Sequence, residues 1–296
     1  MAHLCRLSGS QPGSRSGAVP LAAALKKCGA ARQWIAVLEL LRDASRSGTQ
    51  VDTVFYNMAM SACGKGSQWQ QAVALLGKLR EVLLEPDVIS FNAGISACDK
   101  GGQWQSSLSL LIELSDTILD PDNFSYCAAI SACAKGLQWE RALSLLREMC
   151  EAKLQPDVMS CNSGISACEK GEQWQQALLL LREFTQRHLE TDVRSYSAGI
   201  SACAATGQWT QALALLKELL EVMLEPNVIS YNAGLSACGN SEKWQEALSL
   251  LRGMREVRLK PDTIYPTTSE SARVRKVGSG NMRCHCFASR GRWAWS

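Results

Sequence analysis

The chain is short of the residues that most active sites need. Its 296 residues include only three histidines, His3, His188 and His285, and the full zinc-deaminase pattern of His-x-Glu with a downstream Cys-x-x-Cys does not occur. Cys284-His285-Cys286 offers three adjacent ligands without a spaced partner pair, so no metal and no cofactor is expected. No run of 18 or more apolar residues occurs, which argues against a membrane span. Charged residues make up only 20% of the chain, yet 46% hydrophobic content is too high for wholesale disorder. Phenylalanine and tyrosine are scarce at five each, and proline at eight, but most of them recur at a fixed spacing.

Cysteine, by contrast, is abundant. Thirteen would suggest a disulfide scaffold in a small secreted chain. Here Cys28, Cys63, Cys98, Cys133, Cys168, Cys203 and Cys238 fall one per 35 residues, at one point of a helical pattern. A residue in that place packs as a small hydrophobe against its neighbours. Packing is therefore expected over disulfide or metal use, and with it a reducing, intracellular compartment.

Trp34, Trp69, Trp104, Trp139, Trp174, Trp209 and Trp244 keep the same spacing without slippage. Ser-Ala-Cys recurs in phase from Ser61-Ala62-Cys63 to Ser236-Ala237-Cys238, as do Pro86, Pro121, Pro156, Pro226 and Pro261. A fixed period of this length means stacked supersecondary units. In the stretch 158–192, Cys161, Ile165 and Cys168 form one apolar helical stripe, with Tyr56, Phe91, Tyr126, Tyr196 and Tyr231 filling the Cys161 place elsewhere. Gly94, Gly164, Gly199 and Gly234 lie inside this helix, where Gly costs roughly 0.5–1 kcal/mol relative to Ala. A close helix–helix approach is the expected reason. Lys170-Gly171-Glu172-Gln173 makes a turn, and a second helix starts near Trp174 with Ala177, Leu178, Leu181 and Phe184 facing inward. Trp belongs to this core stripe, and Pro156 is expected to stop the helix before the next unit. Neither helix can bury its stripe alone, so stability comes from stacking.

The expected fold is all-α: an α-solenoid of about seven helix–turn–helix repeats, at 18–52, 53–87, 88–122, 123–157, 158–192, 193–227 and 228–262. The first repeat is degenerate, with Pro20 and no Ser-Ala-Cys. Residues 1–17 read as a basic segment and 263–296 as a mostly disordered basic tail. Residues 1–38 carry five basic residues and no acid, with Ser and Gly prominent, as in mitochondrial or chloroplast transit peptides. A ragged end of a truncated repeat is the alternative.

Glu225-Pro226-Asn227-Val228-Ile229-Ser230-Tyr231-Asn232, with Trp244-Gln245-Glu246-Ala247-Leu248 further on, resembles the pentatricopeptide repeat, and the likeness covers residues 18–262. The resemblance implies a right-handed superhelix that binds single-stranded RNA, one base per repeat, in organellar RNA stability, processing, splicing or translation. It also implies that the fifth and last residues of a repeat read the base. These pairs are Asn57 with Asp87, Asn92 with Asp122, Cys127 with Asp157, Asn162 with Asp192, Ser197 with Asn227, and Asn232 with Asp262. By the family's rule Asn–Asp prefers U and Ser–Asn prefers A, so the implied site is about 5′-UUNUAU-3′, with Cys127 reading weakly. The second residue stacks on the base: Val54, Ile89, Phe124, Met159, Arg194 and Ile229. Lys65, Lys100, Lys135 and Lys170 occupy the family's phosphate-contacting place, and Ala205 and Asn240 break that ladder.

Plainer readings of the same residues stay open. Asp and Asn cap helices, so the paired series could be helix-start chemistry. The Lys ladder could be a solvated turn. The array 18–262 holds 23 basic and 27 acidic residues, which favours a protein–protein scaffold of the tetratricopeptide-like class as the rival function. No catalytic constellation is found, so the chain is expected to be a binder rather than an enzyme, with a processing enzyme acting in trans as a further expected partner.

Overall fold

A computed structural model of the chain describes residues 23–28, 31, 33–47, 51–187 and 191–257. The expectations for Pro20, Asp262, Cys284-His285-Cys286 and both basic ends lie outside the described residues. Among the described residues all regular structure is α-helix. The chain divides into two compact blocks, Met1–Thr191 and Asp192–Ser296.

In the first block the front helices Thr53–Lys65, Val88–Lys100, Asn123–Lys135 and Val158–Lys170 alternate with the back helices Trp69–Glu81, Trp104–Asp116, Trp139–Glu151 and Trp174–Gln186. A further back helix, Trp34–Arg46, precedes them. The second block repeats the arrangement with front helices Val193–Ala205 and Val228–Asn240 and back helices Trp209–Glu221 and Trp244–Glu256. Within each block, successive front helices pack on one another. From Trp69–Glu81 onward each back helix packs on the front helix of its own repeat, and each back helix packs on the next front helix where the block continues. Within each block the front helices form one layer and the back helices a second.

The sequence marks each front helix at both ends. Asp52, Asp87, Asp122, Asp157, Asp192 and Asn227 are N-caps whose side chains accept from the backbone N–H three residues on. Such a cap is worth about 1 kcal/mol. The other end closes in a Schellman turn. Ser67 takes the left-handed φ of 57°, and the Gln68 N–H reaches back to the Cys63 carbonyl at 2.9 Å. The back helices close in the same way at Leu83, Lys153 and Met223, with φ of 58°, 59° and 61°. Pro86, Pro156 and Pro226 follow these turns, so hydrogen bonding ends the helices and proline only keeps the linker extended.

The glycines and tryptophans depart from the sequence reading. Gly66, Gly101, Gly136 and Gly171 have ordinary negative φ, so the turn does not require Gly there. The requirement is packing. A Cβ would lie 2.6, 2.6, 2.2 and 2.5 Å from Cδ1 of Trp34, Trp69, Trp104 and Trp139, each on the back helix of the preceding repeat. These indoles are half-buried seam residues rather than core residues. Arg141 lies over the Trp104 ring at 5.2 Å. Trp244, in the last described helix, is 61% exposed. The glycines inside the front helices face leucine side chains, Leu110 at Gly94 and Leu146 at Gly164, whereas backbone approach occurs at Gly64 against Ala97.

The core consists of back-helix leucines and alanines, such as Ala72, Leu75, Leu76 and Leu79, against Ala59, Met60 and Cys63 of the front layer. Cys63, Cys98, Cys133, Cys168, Cys203 and Cys238 are fully buried, and none of the described cysteines is in a disulfide. Burial pushes the thiols of Cys63, Cys98, Cys133 and Cys203 up to about 11 and that of Cys168 up to about 12. They are packing residues, as their spacing suggested.

Gly136→Ala is expected to destabilise the chain by about 1–3 kcal/mol, because the new methyl overpacks the Trp104 ring. Gly77→Ala, in a back helix with open space around it, is expected to stabilise by about 0.5–1 kcal/mol. Urea denaturation of both variants checks the pair of opposite signs.

Candidate nucleic-acid interface

The fifth residue of a repeat lies in the second turn of its front helix, and the last residue is the N-cap of the next one. The solenoid therefore brings them together. Asn57 Nδ2 donates to Asp87 Oδ1 at 3.1 Å, and Asn92 Nδ2 donates to both oxygens of Asp122 at 3.1 Å. Cys127 Sγ donates to Asp157 Oδ1 at 3.5 Å. Asn162 lies at the corresponding place of Val158–Lys170 and Asp192 caps Val193–Ala205, at the ends of the two blocks. Asn232 occupies the same place in Val228–Asn240, and its partner position 262 is outside the described residues.

The capping reading of the Asp series holds, and the same carboxylates of Asp87, Asp122 and Asp157 also accept from the fifth residue of the preceding repeat. A third group joins them, which the sequence reading missed. Ser90 Oγ donates to Asn57 Oδ1 at 2.7 Å, and Ser125 Oγ to Asn92 Oδ1 at 2.5 Å. Ser160 Oγ lies 3.2 Å from Cys127 Sγ, and Ser230 Oγ 2.7 Å from Ser197 Oγ. All four serines are 0% exposed. The signal was present as a serine three residues after the cap at the common spacing, but a capping box accounts for such a serine and hid its second partner.

Burial raises the carboxyls of Asp87, Asp122 and Asp157. Hydrogen bonds from the serine hydroxyl and backbone, and from Asn57, Asn92 or Cys127, more than offset this and hold each below the ordinary 3.8. The carboxylates are therefore ionised acceptors at neutral pH. Burial, together with the charge of Asp157, pushes the Cys127 thiol up to about 11, so it remains a protonated donor.

The predicted stacking residues stand beside this network. Val54, Ile89, Phe124 and Met159 are 56–67% exposed, and Ile229 in the second block is 63% exposed. Each precedes a fifth residue by three positions and so shares its helix face. Arg194 is exposed at the same place. Large apolar side chains held in solvent at a fixed period are costly unless something covers them. Lys65, Lys100, Lys135 and Lys170 are exposed in the last turns of the front helices. Lys135 is already engaged, its Nζ lying 3.0 Å from Asp99 Oδ2, so it must leave this pair to meet a phosphate. Among the described residues no cluster of three metal-ligating side chains occurs.

Models of the pentatricopeptide repeat domain match residues 39–100 and 179–241, and a second model of the repeat matches 124–154 and 229–259. Together they span more than half of the sequence. The chain belongs to the pentatricopeptide repeat family.

Among solved structures, the pentatricopeptide repeat protein PPR10 from maize matches with a TM-score of 0.63 at 25% identity over 81% of this chain and 34% of its own. PPR10 in complex with an 18-nt psaJ RNA element gives 0.62 at 24% identity, covering 81% and 39%. The PPR domain of Arabidopsis thaliana protein-only RNase P 1, in complex with tRNA, gives 0.51 at 14% identity, covering 57% and 89%. This pentatricopeptide repeat chain thus spans about a third of the PPR10 chain. No curated protein sequence matches it significantly.

Because the folded pKa of Asp122 is depressed, its contribution to stability is full above the unfolded value and is lost as pH falls through the folded one. Asp122→Asn keeps a capping oxygen, as Asn227 does, and removes the titration. Thermal melts across the acid range are expected to show a shallower loss of stability for this variant than for the unmodified chain.

Proposed function

We propose that this pentatricopeptide repeat chain binds single-stranded RNA sequence-selectively in organellar RNA metabolism, acting on transcript stability, processing, splicing or translation. It does so without catalysis of its own, and any cleavage or modification falls to an enzyme recruited in trans. One observation carries the reading: at a fixed spacing, an exposed apolar side chain stands three residues before a buried polar side chain that is hydrogen-bonded to an inter-repeat carboxylate. The exposed group offers a stacking surface, and the polar pair offers an edge reader.

The chemistry matches uracil at the Asn–Asp repeats. At Asn57 and Asn92 the amide nitrogen donates to the carboxylate and carries a second N–H that can meet a carbonyl, while a carboxylate oxygen can accept from an imide N–H, directly or through water. Asn57–Asp87, Asn92–Asp122, Asn162–Asp192 and Asn232–Asp262 are assigned U, Ser197–Asn227 is assigned A, and Cys127–Asp157 is left unread. The site is about 5′-UUNUAU-3′. RNA-bound relatives of the same fold support this reading. With more acids than bases in the array, and with Lys135 paired to Asp99, affinity is modest and salt-sensitive.

Selection from a random single-stranded RNA pool at low salt is expected to enrich a U-rich hexamer; no affinity above background would instead favour a protein-binding scaffold. Asn162→Thr is expected to shift its base from U toward G. Phe124→Ala is expected to weaken binding about fivefold or more, the usual size of one lost stacking contact. Gel shift or fluorescence anisotropy on oligonucleotides changed at one base reads both effects.

A further inference from the structure

The serine three residues after each cap has a role that capping does not explain. At Asn57 the side-chain amide has one end 3.1 Å from Asp87 Oδ1 and the other 2.7 Å from Ser90 Oγ. An ionised carboxylate can only accept, so the amide nitrogen must face Asp87 and the amide oxygen must face Ser90. With the amide oxygen facing it, Ser90 Oγ donates to Asn57 Oδ1; Asp87 Oδ1, also 2.7 Å away, competes for the same proton, and Ser90 Oγ accepts in turn from the Asp87 backbone N–H at 3.3 Å. Asn92, Asp122 and Ser125 repeat this arrangement.

We infer that Ser90 and Ser125 are positioning residues for base selection: they fix the flip of the Asn amide so that an N–H donor, rather than the carbonyl, meets the base. The inference rests on the RNA-binding reading and adds a third residue to each reading pair, contributed by the following repeat. The same serine works differently where the fifth residue differs. Ser197 gives its own proton to the Val193 carbonyl at 2.6 Å, so the proton shared with Ser230 comes from Ser230. Ser197 can then only accept at the base, as an exocyclic amine requires.

Sequence placement agrees. The repeat whose fifth residue is the apolar Ala22 is followed by Phe55 instead of Ser, although Asp52 still caps that helix. Capping alone would keep serine there; a partner for a polar fifth residue would not. Asn232 is followed at the equivalent position by Tyr265, so its base is expected to be read less sharply than those of Asn57 and Asn92.

The test uses the full chain with Ser90→Ala and Ser90→Thr, and RNA oligonucleotides carrying U, C or A at the nucleotide assigned to Asn57. In Ser90→Ala the preference for U over C at that nucleotide is expected to fall about five- to tenfold, the scale of one misdirected edge contact. Preferences at the other nucleotides stay unchanged, and Ser90→Thr, which keeps the hydroxyl, retains the original ratio. A ratio unchanged in Ser90→Ala, or an equal loss at every nucleotide, would overturn the inference while leaving RNA binding intact. If the unmodified chain binds none of the RNAs, both the inference and the proposed function fail.

Discussion

The inter-repeat carboxylate is the interaction on which the rest depends. A helix start leaves backbone N–H groups without partners, and Asp87, Asp122 and Asp157 satisfy one of them each time a front helix begins. Because repeats follow at a constant spacing, the same carboxylate falls beside the second turn of the preceding front helix. It therefore receives Asn57, Asn92 or Cys127 without any further element. Its depressed pKa follows from those donors and keeps it charged, and that charge determines which end of each Asn amide faces it. Local folding, repeat register and the chemistry of the exposed face thus share one group.

Positioning that group accurately requires the repeats to meet at a fixed angle. The Trp–Gly seam supplies this constraint. An indole from one back helix fills the space left by a missing Cβ at the end of the next front helix, at Trp34 with Gly66 and onward to Trp139 with Gly171. Leucines and alanines fill the interior, but such side chains tolerate repacking. A planar ring against a glycine does not, since the contact is set by ring edge and backbone. With back helices and seam carrying the packing, the opposite face of the front helices is free to hold apolar groups in solvent.

Much of this was legible in the sequence, and what was missed has identifiable causes. The constant spacing of Trp and Ser-Ala-Cys pointed to stacked helical repeats, and the second helix of the 158–192 stretch starts at Trp174, where its apolar stripe placed it. Trp139 was misplaced because a stripe specifies a helix face without specifying which neighbour covers it, and that neighbour lies in the next repeat. Pro156 was credited with ending a helix that Lys153 ends by its left-handed turn, since a backbone conformation on a non-glycine residue leaves no mark in the sequence. Ser125 carries no sequence mark beyond its recurrence three residues after a cap. Two roles for one hydroxyl cannot be separated until the partner at Asn92, 33 residues away, is in place.

The same geometry makes the repeats chemically unequal at their fifth residues. At Asn57 and Asn92, amide, carboxylate and hydroxyl form a closed set. Cys127 has a single weak donor, directed at Asp157, with Ser160 Oγ 3.2 Å from its sulfur, and its raised pKa keeps the thiol protonated. Phe124 in that repeat is nonetheless as exposed as its counterparts. On the proposed RNA-binding reading, that repeat would hold a base by stacking without an edge reader, and the repeats would differ in the polar groups each leaves after satisfying its own helix ends.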